Sequence, residues 1–190
     1  MRNTPETYIV TAWIIALIVW AIGAFTTKRT VRRQSSASRW IDIGEGWLAG
    51  MLLFSSRTGF GPLDRRFVPR SSGAAWVGAG LTIAGVALAI AARFFLGRNW
   101  SGTVTIKEGH TLVRTGPYTL VRHPIYSGFL LAILGTALAM GEFRALLAAI
   151  LVFLLLAHKI ILEERFMMEQ FGAEYAQYRR HVKALIPFVW

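Results

Sequence analysis

Apolar residues in this chain come in long blocks, with neither the alternation of a half-buried strand nor the stripe of a surface helix. Tyr8–Phe25 runs 18 residues without a charge, Ala74–Ala92 runs 19, Pro124–Met140 runs 17, and Ala145–Ala157 runs 13 before His158 and Lys159. A spanning helix needs about 17–25 such residues, so the pattern predicts four spans. A fifth segment, roughly Ile41–Ser56, carries Asp42 and Glu45 ahead of the apolar run Trp47–Phe54. It reads as a span with a polar first turn, with a re-entrant or interfacial helix as the alternative. The expected fold is all-α: a polytopic integral membrane protein with about five transmembrane helices. Tyr8–Phe25 is too long for a cleaved signal peptide and reads as a retained first helix.

Met140-Gly141-Glu142-Phe143 leaves room only for a tight hairpin between two antiparallel helices. Pro124–Met140 and Phe143–Leu162 therefore leave and return to one membrane face. That brings Arg122-His123-Pro124-Ile125-Tyr126, ahead of the hairpin, beside Lys159-Ile160-Ile161-Leu162-Glu163-Glu164-Arg165 after it. The second helix is expected to continue past the bilayer to Glu169 and stop at Phe171-Gly172. Ala173–Val182 reads as a short amphipathic helix, and Leu185–Trp190 as an apolar, aromatic tail returning to the interface. Gly73, Gly78, Gly80 and Gly85 suit close helix packing in lipid.

Composition sharpens this reading. The 190 residues are 54% hydrophobic and only 16% charged, against about 25% in soluble domains. With five spans and the N-terminus outside, 15 of the 21 Lys and Arg residues fall inside and 6 outside. That split places the C-terminus in the cytoplasm, although the arginines of the 57–70 loop run against it. The net charge of +11 is explained by anionic lipid headgroups, without nucleic acid. Cysteine is absent, which excludes disulfides, thiolate metal sites and Cys nucleophiles. His110, His123, His158 and His181 lack metal-ligand spacing, so no metal is expected. No Gly-rich dinucleotide fingerprint, P-loop or serine nucleophile elbow is present either.

Three stretches carry candidate chemistry. Pro124 at a first helical turn is pre-set for helix, and the helix it opens presents free N–H groups and partial positive charge beside Arg122 and His123. Lys159 and Glu163 share a helix face at i, i+4, and Glu163-Glu164 at the exit of a span is costly enough to suggest function. Cations and a helix start on one wall and carboxylates on the other suit a zwitterionic ligand. His110-Thr111-Leu112-Val113, with Tyr118 beyond it, reads as extended backbone whose polar groups are free to read the edge of a base.

The stretches HTLVRTGPYTLVRHPIYSG (110–128) and EERFMMEQFGAEYAQYRRHVKALIPF (163–188) strongly resemble the isoprenylcysteine carboxyl methyltransferase family, with its phospholipid methyltransferase relatives, in its prokaryotic form. The resemblance covers about the last 80 residues. It implies a membrane methyltransferase with S-adenosyl-L-methionine as donor, in a cytoplasmic pocket at the end of the C-terminal hairpin. It divides the chain into N-terminal transmembrane helices (1–95) and a catalytic region (96–190). Donor contacts carried over are His110, Thr111, Leu112, Val113, Tyr118, His123, Pro124, Tyr126 and Glu163. Catalytic candidates are Arg122, Lys159, Glu163 and Glu164, with Glu164 or Tyr126 as base if the acceptor is an amine. The family's acceptor-side arginine falls on Lys159, which lacks the bidentate fork for a carboxylate. The implied acceptor is a prenylcysteine-like carboxylate or a lipid amine. The implied location is a prokaryotic inner membrane, or the endoplasmic reticulum in a eukaryote. An NADPH-dependent reductase of sterol-reductase type and a non-catalytic membrane scaffold are the alternatives.

Overall fold

The structure, a computed structural model, describes residues 3–25, 30–33, 36–55, 59–100, 105–107 and 111–187. Six helices dominate it: α1 (Pro5–Ala24), α2 (Ser36–Phe54), α3 (Ser72–Leu96), α4 (Pro124–Met140), α5 (Phe143–Phe171) and α6 (Ala173–His181). Three of them, α1, α3 and α5, are long and apolar enough to cross a membrane, and α4 is apolar over its 17 residues. The chain is thus a predominantly helical integral membrane protein. A short antiparallel ribbon of β1 (Thr30–Arg33) and β2 (Thr105–Lys107) joins the loops after α1 and α3. The block pattern of hydrophobicity gives no sign of it, because its strands lie in polar loops and pair across more than 70 residues.

Local chemistry sets the helix ends. Thr4 caps α1 ahead of Pro5, and Ser71 Oγ accepts from the Ala74 N–H at 3.1 Å to start α3. Pro124 opens α4. Gly141 closes it with φ +64°, a left-handed turn that glycine adopts without Cβ strain. Gly172, at φ +50°, separates α5 from α6. At 29 residues α5 is about 44 Å long, so it outruns a hydrocarbon core of about 30 Å and carries its last turns out of the bilayer.

The tightest pair is α3 with α4. A Cβ on Gly135 would sit 2.6 Å from Gly78 O and Thr82 N, and one on Gly128 would sit 2.6 Å from Ala89 N. Gly78 and Gly85 of α3 sit opposite α4 in this seam. Gly73 and Gly80 face open space, so only half of the expected glycine seam is used. Thr82 is fully buried and donates to Gly78 O at 2.9 Å. Thr136 donates to Ala132 O and accepts from Trp13 Nε1 at 3.1 Å, tying α1 to α4. Such polar contacts hold helices together where lipid offers no hydrophobic drive.

α2 is helical throughout and runs antiparallel beside α5. Its Asp42 meets Lys159, while its C-terminal carbonyls, Leu52 and Ser55, accept from Arg144 at 2.9 Å each. The arginine-rich loop folds onto the hairpin: Phe143 N–H donates to Arg65 O, and Arg66 lies 3.8 Å from Glu142. The guanidinium of Arg66 is therefore held in internal contacts at the hairpin end, while Arg65 contributes its backbone carbonyl.

Candidate active site

The two stretches separated by the hairpin do meet. Tyr126, one turn into α4, donates its hydroxyl to Glu163 Oε1 on α5. His123, the residue before α4, is buried between both acids, with Nδ1 3.4 Å from Glu163 Oε2 and Nε2 3.4 Å from Glu164 Oε1. Its ring stacks on Tyr126 at 5.6 Å. Burial alone would lower the His123 pKa. Hydrogen bonds and charge from Glu163 and Glu164 outweigh it, and the imidazole is raised above its ordinary value.

Arg122 and Glu164 form a knot beside these residues. Arg122 Nε donates to Glu164 Oε1 at 2.8 Å, a second guanidinium N–H reaches the same oxygen, and a third donates to Val182 O. Arg179 Nε approaches Glu164 Oε2 at 3.2 Å. The chain after α6 then lies along the start of α4. Arg122 N–H donates to Lys183 O at 2.8 Å, His123 N–H to Ala184 O at 3.0 Å, and Ser127 Oγ to Leu185 O at 2.6 Å. The N–H groups of Arg122 and His123 are thus bonded to the chain's own carbonyls. Ala184 and Leu185 are buried against Ile160, and residues 188–190 lie outside the described residues.

These elements enclose a cavity of about 260 Å³, near the lower end of small-molecule sites. Of the residues singled out in the sequence, Leu112, Val113, Tyr118, Arg122, His123, Tyr126, Lys159 and Glu163 form its walls. Thr111 is exposed and accepts from Asn99 Nδ2 at 3.1 Å. Pro124, the fully buried first residue of α4, and Glu164, bonded to the lining residue Arg122, lie outside the lining. His110 lies outside the described residues. Sequence reasoning missed the aromatic lining. Tyr175 and Tyr178 of α6 close one side, and Tyr178 donates to Tyr118 O at 2.5 Å. Burial pushes the Tyr178 hydroxyl up to about 12, with Arg122 and Arg114 pulling against it. Trp20 from α1, Trp100 and Phe129 line another side, with Trp20 4.8 Å from Phe129 and 6.0 Å from Trp100. The i, i+3 tyrosine pair was visible in the FGAEYAQY stretch; nothing in the order of residues pointed α1 at this cavity.

A helical hairpin that sets a Tyr–Glu contact and a doubly flanked histidine over an aromatic cavity can be compared with known proteins. The phospholipid methyltransferase family model matches residues 74–174, just over half the chain. The chain belongs to this family. Among curated relatives, protein-S-isoprenylcysteine O-methyltransferase B of Arabidopsis thaliana is 35% identical over 96 residues, covering 49% of each chain. The Schizosaccharomyces pombe protein-S-isoprenylcysteine O-methyltransferase is 36% identical over 96 residues, covering 49% of this chain and 41% of that protein. The cobalt-zinc-cadmium resistance protein CzcN of Cupriavidus metallidurans is 37% identical over 109 residues, covering 56% of this chain and 48% of its own. The chain thus spans about half the length or less of these relatives. A solved structure of the eukaryotic intramembrane Ras methyltransferase ICMT superposes on 82% of this chain and 54% of its own, with TM-score 0.55 and 21% identity. The resemblance read from residues 110–188 and the helical membrane fold both stand.

Proposed function

We propose that this protein is an integral membrane methyltransferase that uses S-adenosyl-L-methionine to methylate a lipophilic acceptor at the membrane–cytosol boundary. The observation that carries the reading is the cavity shared by Tyr126, His123 and Glu163 from two spanning-type helices, walled by aromatic rings. A sulfonium donor is cationic and carries a planar base. Aromatic faces attract cations, and the Glu163 carboxylate adds charge of the required sign. The residues present therefore fit this donor. Those that would hold it are Leu112, Val113, Tyr118, His123, Tyr126 and Glu163.

When bound, the donor supplies an electrophilic methyl group whose bonding pair leaves with sulfur as a neutral thioether. The chain's own work is positioning and exclusion of water. Arg122 and Glu164 lock the start of α4 to α5 and α6, which fixes His123 and Tyr126 in the wall. Tyr175 and Tyr178 cover the cavity on the solvent side, and Trp20 and Phe129 line it with apolar surface suited to a lipophilic acceptor. If the acceptor is an amine, the Tyr126–Glu163 pair is placed to take its proton.

Five spans with the C-terminus cytoplasmic remain the topology we propose, since α2 lies beside α5 from Lys159 to Arg144. Lys and Arg at the inner face then meet anionic lipid headgroups. The test is calorimetric titration of S-adenosylmethionine and of NADPH into the purified protein. Donor binding that disappears in Glu163→Ala is expected. Unchanged donor affinity in that variant refutes the role of Glu163, and binding of NADPH in place of the donor refutes the methyltransferase.

A further inference from the structure

The chain leaves α3 through a single turn, Gly97–Asn99, and that turn is firmly held. Gly97 reverses the backbone at φ +56°. Arg93 donates to Gly97 O at 2.8 Å, and its guanidinium lies 4.3 Å over the Trp100 ring. Asn99 stands between these two anchored residues and lines the cavity, as Trp100, Leu112 and Val113 do. Its Nδ2 donates to Thr111 Oγ1 at 3.1 Å and, at 3.5 Å, to Thr111 O. A carbonyl can only accept, so reversing the amide would set two oxygens against each other. That fixes which end of the amide is left over. Oδ1 is buried, and among the described residues no N–H or O–H reaches it.

A buried acceptor without a partner costs about 1–3 kcal/mol, and native structures seldom keep one. In a residue of a cavity wall, it calls for a ligand that brings an N–H or O–H. The methyl donor of the proposed reaction, on which this inference rests, brings a charged ammonium, ribose hydroxyls and the neutral exocyclic amine of adenine. The ammonium is better met by a carboxylate such as Glu163 than by a neutral amide. Asn99 has an indole next to it along the chain, at Trp100, and an aliphatic side chain past Thr111, at Leu112. Such surroundings suit a flat, uncharged base better than a hydrated sugar. We propose that Asn99 is a specificity-determining residue for the methyl donor: its Oδ1 accepts a hydrogen bond from the amine of the adenine ring.

S-adenosylhomocysteine and S-inosylhomocysteine test this, because they differ at one edge of the base. The amine of the first is a carbonyl oxygen in the second, and the ring nitrogen beside it gains a hydrogen. Each is titrated calorimetrically into the full-length protein in one detergent. The wild type is expected to bind the adenosyl compound at least about tenfold more tightly, since the inosyl compound sets an oxygen against Oδ1. Asn99→Ala should lower that ratio about tenfold, mostly by weakening the adenosyl compound. A role confined to holding Thr111 would weaken both compounds alike and leave the ratio unchanged. Asn99→Asp keeps an acceptor in place and should keep the preference. A wild-type ratio of about one or below, which needs no variant to fold, overturns the proposal. So does an Asn99→Ala ratio equal to wild type, or an Asn99→Asp ratio as low as that of Asn99→Ala. Binding of neither compound by the wild type sinks the methyltransferase reading as well, whereas adenosyl binding with an unchanged ratio sinks only the role of Asn99.

Discussion

Glu164 is the residue whose loss should cost the most, and the structure says roughly how much. It is 8% exposed, and one of its oxygens takes two guanidinium N–H groups of Arg122, itself equally buried. Glu164→Gln keeps the shape, removes the charge, and sets an amide N–H₂ against donors. Removing one partner of a buried ion pair costs about 3–5 kcal/mol, because the other charge stays buried without compensation. The contact with Arg179 adds little, since that side chain is 55% exposed. In a chain of this size 1 kcal/mol moves the melting temperature by about 2–4 °C, so the variant should melt about 6–20 °C below wild type. Glu174→Gln is the control, because its 2.9 Å pair with Arg114 is 49% and 46% exposed and such pairs contribute under about 1 kcal/mol. Thermal unfolding of the three proteins in one detergent measures both. A Glu164→Gln protein that melts within 2 °C of the Glu174→Gln control would refute the idea that this knot holds α4, α5 and the C-terminal strap together.

Other tests address different links. Gly135→Val puts side-chain atoms onto the Gly78 carbonyl and Thr82 amide of α3, and overpacking of this kind costs about 1–3 kcal/mol; a melting temperature equal to wild type would show that the seam has slack. Tyr178→Phe removes the donor to Tyr118 O, worth about 1 kcal/mol, and should raise the donor KM a few-fold with kcat unchanged. A fall in kcat alone would place Tyr178 in the chemistry. The pH dependence of stability should carry the mark of His123. Its folded pKa is raised above the ordinary 6.5, so its contribution is fully present below pH 6.5 and is lost as pH rises through the folded value. The melting difference between wild type and His123→Gln should therefore shrink from pH 6 towards pH 9; a difference that grows with pH reverses the sign of the argument.

Much of the site was legible because its residues sit close together in two short stretches. Arg122, His123 and Tyr126 flank one proline, Glu163 and Glu164 are adjacent, and a four-residue turn leaves antiparallel return as the only geometry for the helices between them. The reading of free N–H groups at α4's start was local, whereas the Arg122 and His123 N–H groups are met by Lys183 and Ala184 from some 60 residues away. The glycines of α3 show the same division. Four of them suited close packing, but only the two facing α4 are used, and which face that is depends on where the partner helix lies.

Hydrophobic block length is a property of the chain alone, since the cost of carrying charge or unpaired backbone through lipid does not depend on the neighbours. It therefore determined the helical membrane class, the hairpin and the meeting of two polar clusters. The lining of the cavity by Trp20, the covering tyrosines and the union of Asp42 with Lys159 were decided by tertiary packing. Each is a contact between segments distant along the chain, and its energy exists only once the helices have chosen which faces to bury.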